Sequence, residues 1–368
     1  APGGQLWNRI DKVFCLYCIS AVLTYIVLWE GELAAIINRL GFLLNAGGMY
    51  FVVRALVRTD EDVRRASSAI VWLFILIAVG MIYQRVSGTN LFSILGGEAE
   101  ASDVRNGRIR AQGPFVHPLT AGAIGAALLP LAVGLWWADK KFTKHKLQAM
   151  VGTCSAMAVG ITSNSSTALL TLAASILGLL LWPLRRLLSG IRWAVLLTLI
   201  TLHIVMKAPV WALIGRIDLT GSSSGYHRYT LVDQFIRRFS EWWLVGTPTT
   251  ANWGWDMWDT INSYVNAGTN GGLITFLLFV GLLTVSFQEL GNTRKAQPER
   301  ARQCWVLGAM LFAQAVAFFG IEYFDQTQFV WYASLAIISS AVVPGQVRPP
   351  EAGPVSAPME VAASQWFC

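Results

Sequence analysis

Residues 66–83 read ASSAIVWLFILIAVGMIY, a run without a single charged side chain. Because roughly 20 apolar residues in a helix cross the hydrocarbon layer of a bilayer, this run predicts a transmembrane helix. The whole chain has the same character: 54% of its 368 residues are apolar, only 13% are charged, and its mean hydropathy is +0.50. A soluble domain has about 25% charged residues. The composition therefore excludes an ordinary soluble enzyme and predicts an all-α, polytopic integral membrane protein.

Similar apolar runs recur along the chain and predict a helical bundle of about ten spans. Between the fifth and sixth runs, the serine-rich residues 163–166 predict a tight hairpin. Residues 1–343 are expected to form one membrane domain, and the proline-rich residues 344–368 a disordered cytoplasmic tail. The predicted spans are 13–29, 34–53, 66–83, 117–137, 147–162, 166–182, 193–211, 268–287, 303–320 and 327–343.

The basic residues predict an orientation. If the N-terminus is cytoplasmic, most of the 28 lysines and arginines fall in cytoplasmic connections, as the positive-inside rule requires. Both termini are then inside, and two large loops, roughly 84–116 and 212–267, lie outside. The basic clusters behind the net charge of +7 lie where anionic lipid headgroups would attract them, so no nucleic-acid partner is expected.

The longer outer loop is predicted to contain an amphipathic helix from Tyr229 to Val245, where apolar residues recur at three- and four-residue steps. Further along the loop lie Trp253 and Trp255. These indoles are expected either to lie at the membrane interface or to form a platform for a sugar or polyprenyl chain.

Both outer loops carry arginines on the side where the positive-inside rule disfavours them. A guanidinium binds phosphate through two hydrogen bonds and keeps its charge, so the set predicts a pyrophosphate site. Solvated or headgroup-binding surface arginines are the alternative. The candidate residues are Arg85, Arg108, Arg110, Arg216 and Arg228.

Four segments carry a resemblance to a known family: RALVRTDEDVRR (54–65), RIRAQGPFVHPLTAG (108–122), TSNSSTALLTL (162–172), and HRYTLVDQFIRRFSEWWLVGTP with NSYVNAGTNGGLITF (227–248 and 262–276). In these segments the chain resembles the O-antigen ligase and O-antigen polymerase superfamily, which are type C membrane glycosyltransferases. The similarity runs from roughly residue 40 to residue 343. Members of that family have about twelve spans, so two N-terminal spans are expected to precede this chain.

The resemblance implies an enzyme of the bacterial inner membrane whose active site faces the periplasm. The implied donor is a glycan on undecaprenyl pyrophosphate, transferred to a glycan or lipid acceptor without a metal or a cofactor. Arg110 and Arg228 match the family's arginines that bind the pyrophosphate and stabilise it as it leaves. Asn262 and Tyr264 match the exit motif of the large loop. Other polysaccharide export components are candidate partners.

One departure from the family concerns the base that activates the acceptor. The ligases begin the exit motif with a histidine, and here that position is Ile261. Asp259, His227 and His117 are the replacement candidates, although His117 precedes a proline and could equally cap a helix. The departure favours a polymerase over a ligase that transfers to a lipid A core. A transporter and a non-enzymatic scaffold are the alternatives from other classes.

Overall fold

The computed structural model describes residues 7–138, 144–216, 225–324 and 326–343, and these residues are overwhelmingly helical. Every predicted apolar run lies largely within a helix. The helices are α1 Arg9–Leu28, α2 Leu33–Leu43, α3 Met49–Leu56, α4 Asp60–Ser87, α5 Pro118–Ala138, α6 Lys144–Thr162, α7 Ser166–Leu180, α8 Leu188–Val205, α9 Gly225–Arg237, α10 Phe239–Trp242, α11 Ser263–Thr269, α12 Gly272–Ala296, α13 Ala301–Ala317 and α14 Gln326–Val342.

Six helical stretches among the described residues are long and apolar enough to cross a membrane. One of them, Leu33–Leu56, joins α2 to α3 through a π-helical stretch, Leu44–Gly48. The other five are α1, α4, α5, α8 and α12. Length and composition therefore agree with a multi-pass membrane protein. The expected tail, 344–368, lies outside the described residues.

Helix α5 lies at the centre of the bundle, packed against α4, α6, α7 and α13. Small residues let the neighbouring backbones come close. A Cβ on Gly125 would lie 2.3 Å from a methyl carbon of Val159, and one on Gly122 would collide with Ser163. Helix α8 is the opposite case, because none of its residues is buried by the rest of the chain.

The packing gives the bundle two distinct ends. At the first lie the C-terminus of α4, the N-terminus of α5 and the C-terminus of α13. We call it the hairpin end, after the β-hairpin of residues 103–110 that lies there. The N-termini of α4 and α13 lie with the C-terminus of α5 at the other, which we call the basic end. As predicted, α6 and α7 are joined by a tight connection, in which Asn164 adopts a positive φ of 47°.

A short β-hairpin at the first of these ends was not predicted. Strands β1 (Asp103–Arg105) and β2 (Arg108–Arg110) pair antiparallel, with Asp103 opposite Arg110. Asn106 and Gly107 form the turn, both with positive φ. This left-handed pair is the backbone of the two-residue turns that suit hairpins, and Asn-Gly is their preferred sequence.

Two predicted helices differ in their bounds. The run 193–211 becomes α8, which ends at Val205, because Pro209 and the residue before it are unfavourable in a helix interior. The amphipathic helix begins earlier than predicted, at Gly225, and is interrupted at Arg238, so that it forms α9 and α10. The remaining short helical segments are 3₁₀ turns at Leu91–Leu95, Val210–Arg216, Ala251–Trp253 and Pro298–Arg300.

Candidate functional site

The β-hairpin positions Arg110. Its guanidinium donates from Nη1 to Asp103 Oδ2 at 2.8 Å, directly across the strand pair. The Arg110 residue is only 5% exposed, and its Nε has no hydrogen-bond partner among the described residues. Loss of water lowers the pKa of Arg110, and the neighbouring charge of Arg105 lowers it further. The Nη1 edge of the guanidinium is thus held by a carboxylate, while the Nε–H is buried and has no partner among the described residues.

The residues between Arg110 and α5 are fixed by two buried amides. Gln84 Oε1, at the end of α4, accepts from the backbone N–H groups of Gln112 at 3.0 Å and Gly113 at 2.9 Å. Asn90 Nδ2 donates to the Gly113 carbonyl at 2.9 Å. Gly113 has a φ of +60°, and a Cβ there would press on Met81. These hydrogen bonds fix the backbone between Arg110 and His117, and so fix the positions of both residues relative to α4.

Arg228 lies in the first turns of α9 and is 7% exposed. Its Nε also has no partner among the described residues. Burial, with a smaller contribution from the charge of Arg105, lowers the pKa of Arg228 to about 10, so it remains charged near neutral pH. Gly320, just after α13, allows this approach, because a Cβ there would lie 2.8 Å from Thr167 Oγ1 and 3.1 Å from Arg228 Nε.

The two histidines make different backbone contacts. His227 Nε2 lies 3.1 Å from the carbonyl oxygen of Asp259, and since a carbonyl only accepts, this nitrogen carries the proton. In the neutral ring the Nδ1 of His227 then keeps its lone pair, which accepts no hydrogen bond from the described residues. His117 instead accepts from the N–H of Leu119 through Nδ1 at 3.3 Å, at the start of α5. His117 therefore makes the helix-capping hydrogen bond that was predicted as its alternative role.

Electrostatics joins these residues into one cluster. The pKa of His117 is lowered by loss of water and by the charge of Arg110. The pKa of Asp259 is raised by loss of water, an effect that the neighbouring His227 and His117 oppose. Arg105 acts on both Arg110 and Arg228. Of the five residues predicted to be catalytic, Arg110, His117, Asp259 and His227 are thus linked by successive charge interactions, and Arg228 is linked to Arg110 through Arg105.

The residues predicted to bind substrate are placed less uniformly. Arg85 Nη1 donates to the Ile109 carbonyl, so it supports the hairpin, whereas Arg108 and Arg216 are exposed. Asn262 caps α11, its Oδ1 accepting from the N–H groups of Tyr264 at 2.9 Å and Val265 at 3.1 Å. The Tyr264 hydroxyl donates to the Ala315 carbonyl at 2.8 Å. The polar atoms of this pair therefore hold the loop exit against α13.

The two predicted tryptophan platforms differ in exposure. Trp253 is 3% exposed, packs with Phe235 and Trp242, and donates from Nε1 to Glu241 at 2.9 Å. Trp255 is 94% exposed and offers its whole indole. Only the second of these rings is open to a ligand.

Sequence reasoning missed a polar cavity beside this cluster. The cavity has a volume of about 480 Å³ and lies between α1, α2, α11, α12, α14 and the connection of α13 to α14. Glu322 lines it and accepts from Asn266 Nδ2. Two other lining groups, Arg39 Nε and the Tyr323 hydroxyl, are buried without a partner among the described residues. A hydroxyl-rich ligand would satisfy such groups.

Glu322 itself is unusual. Loss of water, reinforced by the charge of Asp259, raises the pKa of Glu322 to about 8. A signal in the sequence was available, because Glu322 and Asp325 are two acids in a short connection between two apolar runs. A half-buried acid with a raised pKa that lines a cavity is a candidate functional group.

No family model matches the chain, and a search of curated proteins finds no match. Within the described residues, no group of three His, Cys, Asp or Glu side chains could hold a metal ion. What the site can bind and catalyse is inferred from the positions and charges of its own side chains. Two buried guanidinium groups with free N–H donors can bind a diphosphate, and an imidazole with a free lone pair can accept a proton from a hydroxyl.

Proposed function

We propose that the chain is a membrane glycosyltransferase that polymerises a surface polysaccharide from an undecaprenyl-pyrophosphate-linked donor. In this proposal about ten helices span the bacterial inner membrane, both termini are cytoplasmic and the hairpin end faces the periplasm. The observation that carries it is the pair Arg110 and Arg228. Each is buried, each has an Nε donor without a partner among the described residues, and they come from two separate loops.

The two arginines supply the electrostatics that such a reaction needs. As the anomeric C–O bond breaks, its electron pair passes to the pyrophosphate, and charge grows on the phosphate oxygens. Donors held in advance in a site with little water stabilise that charge most effectively. The guanidinium charges would also offset the negative charge of the donor in the ground state.

His227 is the best-placed base for the acceptor. The acceptor hydroxyl attacks the anomeric carbon, forming the new C–O bond, and its proton passes to a nitrogen lone pair. His227 has this lone pair on Nδ1, because its Nε2–H is held by the Asp259 carbonyl. His117 has its Nδ1 occupied by the Leu119 N–H. Asp259 would orient the imidazole through its backbone in this scheme.

The cavity lined by Glu322 is the proposed place for the acceptor sugars. Its amides, hydroxyls and aromatic rings suit the hydroxyls and apolar faces of a pyranose chain. The absence of a histidine at Ile261 supports a polymerase, in which the acceptor is another lipid-linked repeat unit. A ligase acting on a lipid A core is the alternative that the experiment below separates.

Replacing Arg228 by Ala is the decisive test. The variant should lose long-chain polysaccharide in cells, by more than about 100-fold, since several kcal/mol of transition-state stabilisation are removed. Arg237→Ala is the matched control, because Arg237 lies on the same helix, is exposed and, among the described residues, forms its ion pair with Asp233. Undiminished product in Arg228→Ala, at normal protein level, contradicts the proposal.

The accumulated product distinguishes the two enzymes. Loss of a polymerase leaves single repeat units, on the lipid carrier or on the final acceptor. Loss of a ligase leaves full-length polymer on the lipid carrier and none on the lipid A core. Electrophoresis of lipid-linked and core-linked fractions from the Arg228→Ala strain separates these outcomes.

A further inference from the structure

A second cavity, larger than the one lined by Glu322, lies at the basic end of the bundle, away from the site above. Its volume is about 1130 Å³. It is enclosed by the N-terminus of α4, the C-terminus of α5, the connection after α7, the C-terminus of α12 and the N-terminus of α13. None of the residues assigned to the proposed reaction lines it.

The cavity carries an excess of positive charge. Seven of the lining residues are basic and three are acidic. Arg300 is paired with Asp60, and Arg64 with Glu61. Five lining cations remain without an ion pair among the described residues, facing one remaining carboxylate, that of Glu299. They are Arg185, Arg186, Arg294, Lys295 and Arg302.

Arg294 provides the most direct sign of a missing anion. Its Nη1 is buried and has no hydrogen-bond partner in the described part of the chain. Its guanidinium lies 5.2 Å from the centre of the Trp305 ring. That indole is itself fixed, since its Nε1 donates to the Gly178 carbonyl at 2.9 Å. The guanidinium is thus held beside the cavity while one of its donors is unused.

An aromatic wall adjoins these cations. The ring centre of Trp182 lies 5.9 Å from that of Trp137 and 5.5 Å from that of Trp305. The guanidinium of Arg185 stacks over Trp182 at 4.3 Å. A ligand that fits here combines an anionic head with an apolar body, as a phospholipid does.

Topology alone does not account for this arrangement. A basic residue that only fixes orientation needs to be in a connection, as the exposed Arg58 is. It does not need to face a cavity with a buried donor and an aromatic wall. We propose that this cavity binds the phosphate headgroup of an anionic phospholipid, with Arg294 and Arg185 as its principal ligands.

The proposal can be tested on the purified full chain, with no reference to glycosyl transfer. Thermal unfolding would be followed in nanodiscs of phosphatidylcholine alone and of phosphatidylcholine with phosphatidylglycerol. Wild type should unfold at a higher temperature in the anionic discs, and Arg185→Gln with Arg294→Gln should lose most of that increase. Each single variant, Arg185→Gln and Arg294→Gln, should lose part of the increase. Arg58→Gln is the matched control for each of these, because it removes one charge from the same end outside the cavity, and it should retain the increase.

Direct binding gives the second measurement. Native mass spectrometry in detergent should show phosphatidylglycerol bound to wild type, with affinity at least tenfold weaker for the double variant. Arg294→Lys keeps a cation and should keep most of the binding, so it separates loss of a ligand from loss of the fold. Inorganic pyrophosphate alone should give no comparable stabilisation.

Two outcomes overturn the inference. Equal lipid binding by wild type and the double variant would show that the cavity is not the site. Stabilisation by inorganic pyrophosphate as strong as by phosphatidylglycerol, with the same loss in the double variant, would show a soluble phosphate ligand instead of a lipid. Neither outcome bears on the Arg228→Ala test, because that test measures product at the other end of the bundle.

Discussion

Arginines cluster at both ends of the bundle, but the two ends differ in how deeply these arginines are buried. At the hairpin end, Arg110 and Arg228 are almost fully buried, each held by its own supporting contacts. At the basic end, Arg294 and Arg185 are half-buried, and Arg186 and other cations are exposed. Burying a guanidinium with an unused donor costs several kcal/mol unless a partner compensates. The first end therefore fits a ligand of defined geometry, and the second a headgroup bound within a solvated cluster.

A second contrast lies within the hairpin end. Arg110 is paired with a carboxylate, Asp103, whereas Arg228 has no ion pair among the described residues. The carboxylate can hold Arg110 in place before the donor arrives. Arg228 is positioned by close packing around Gly320 instead. The two arginines should therefore respond to different substitutions.

Gly320→Ala should have the larger effect, because it acts on the arginine held by packing. The added Cβ would meet Thr167 Oγ1 at 2.8 Å and Arg228 Nε at 3.1 Å, so the guanidinium must shift. A displacement of this size costs about tenfold or more in rate when the group acts on the transition state. We expect polymer synthesis in cells to fall by at least that factor at unchanged protein level.

Gly281→Ala is the control for this substitution. Gly281 lies within α12, and a Cβ there meets nothing within 4 Å. It should leave synthesis unchanged. Equal activity of the Gly320→Ala and Gly281→Ala variants would mean that Arg228 does not need its present position.

Asp103→Asn should have a smaller effect, because the arginine that it releases is still held by the hairpin backbone. Partly exposed ion pairs contribute up to about 1 kcal/mol, which corresponds to roughly fivefold. In membranes supplied with lipid-linked donor, we expect the donor KM to rise by about that factor with little change in kcat. Asp103→Glu, which keeps the charge, should restore most of the affinity. A fall in kcat alone would assign Asp103 another role.

The sequence predicted the part of this end that depends on local patterns. Apolar runs predicted the helices, and recurring apolar residues predicted α9 and α10 as an amphipathic element. The β-hairpin was not predicted, because the apolar runs along the chain favour an all-α fold, although Asn106-Gly107 is a strong local hairpin signal. The cap at Asn262 was also predictable, since asparagine before a helix is a favoured N-cap.

The long-range contacts were beyond a single sequence. The approach of Gly320 to Arg228 and the contact of His227 with the Asp259 carbonyl depend on how distant segments pack. The burial of Trp253 and the exposure of Trp255 have the same origin, because both indoles occupy similar sequence contexts. Glu322 was visible as one of two acids in a short connection, but its cavity is formed by several elements that are distant in the sequence.

Glu322→Gln should give the smallest effect. We expect it in the thermal stability of the protein and not in the amount of polysaccharide. The ordinary pKa of this carboxyl is 4.5, and burial raises it to about 8 in the folded protein. Below pH 4.5 the proton is bound in both states. As the pH rises towards about 8, the unfolded chain ionises while the folded one keeps its proton, so the free energy of unfolding falls. Wild type should therefore lose thermal stability across this window, and the glutamine variant should lose less.

The measurement is thermal unfolding of both proteins in detergent at about pH 5 and about pH 8. We expect similar unfolding temperatures at the lower pH and a variant that is more stable by a few degrees at the higher pH. Glu241→Gln is the opposite control, because hydrogen bonds from Trp253 and Arg238 lower the pKa of that exposed carboxyl. Its ionised form stabilises the fold above pH 4.5, so this variant should be slightly less stable at the higher pH. The same pH dependence in wild type and Glu322→Gln would show that Glu322 is ionised in the folded protein, and its cavity would then present a charge to the acceptor in place of a hydrogen-bond donor.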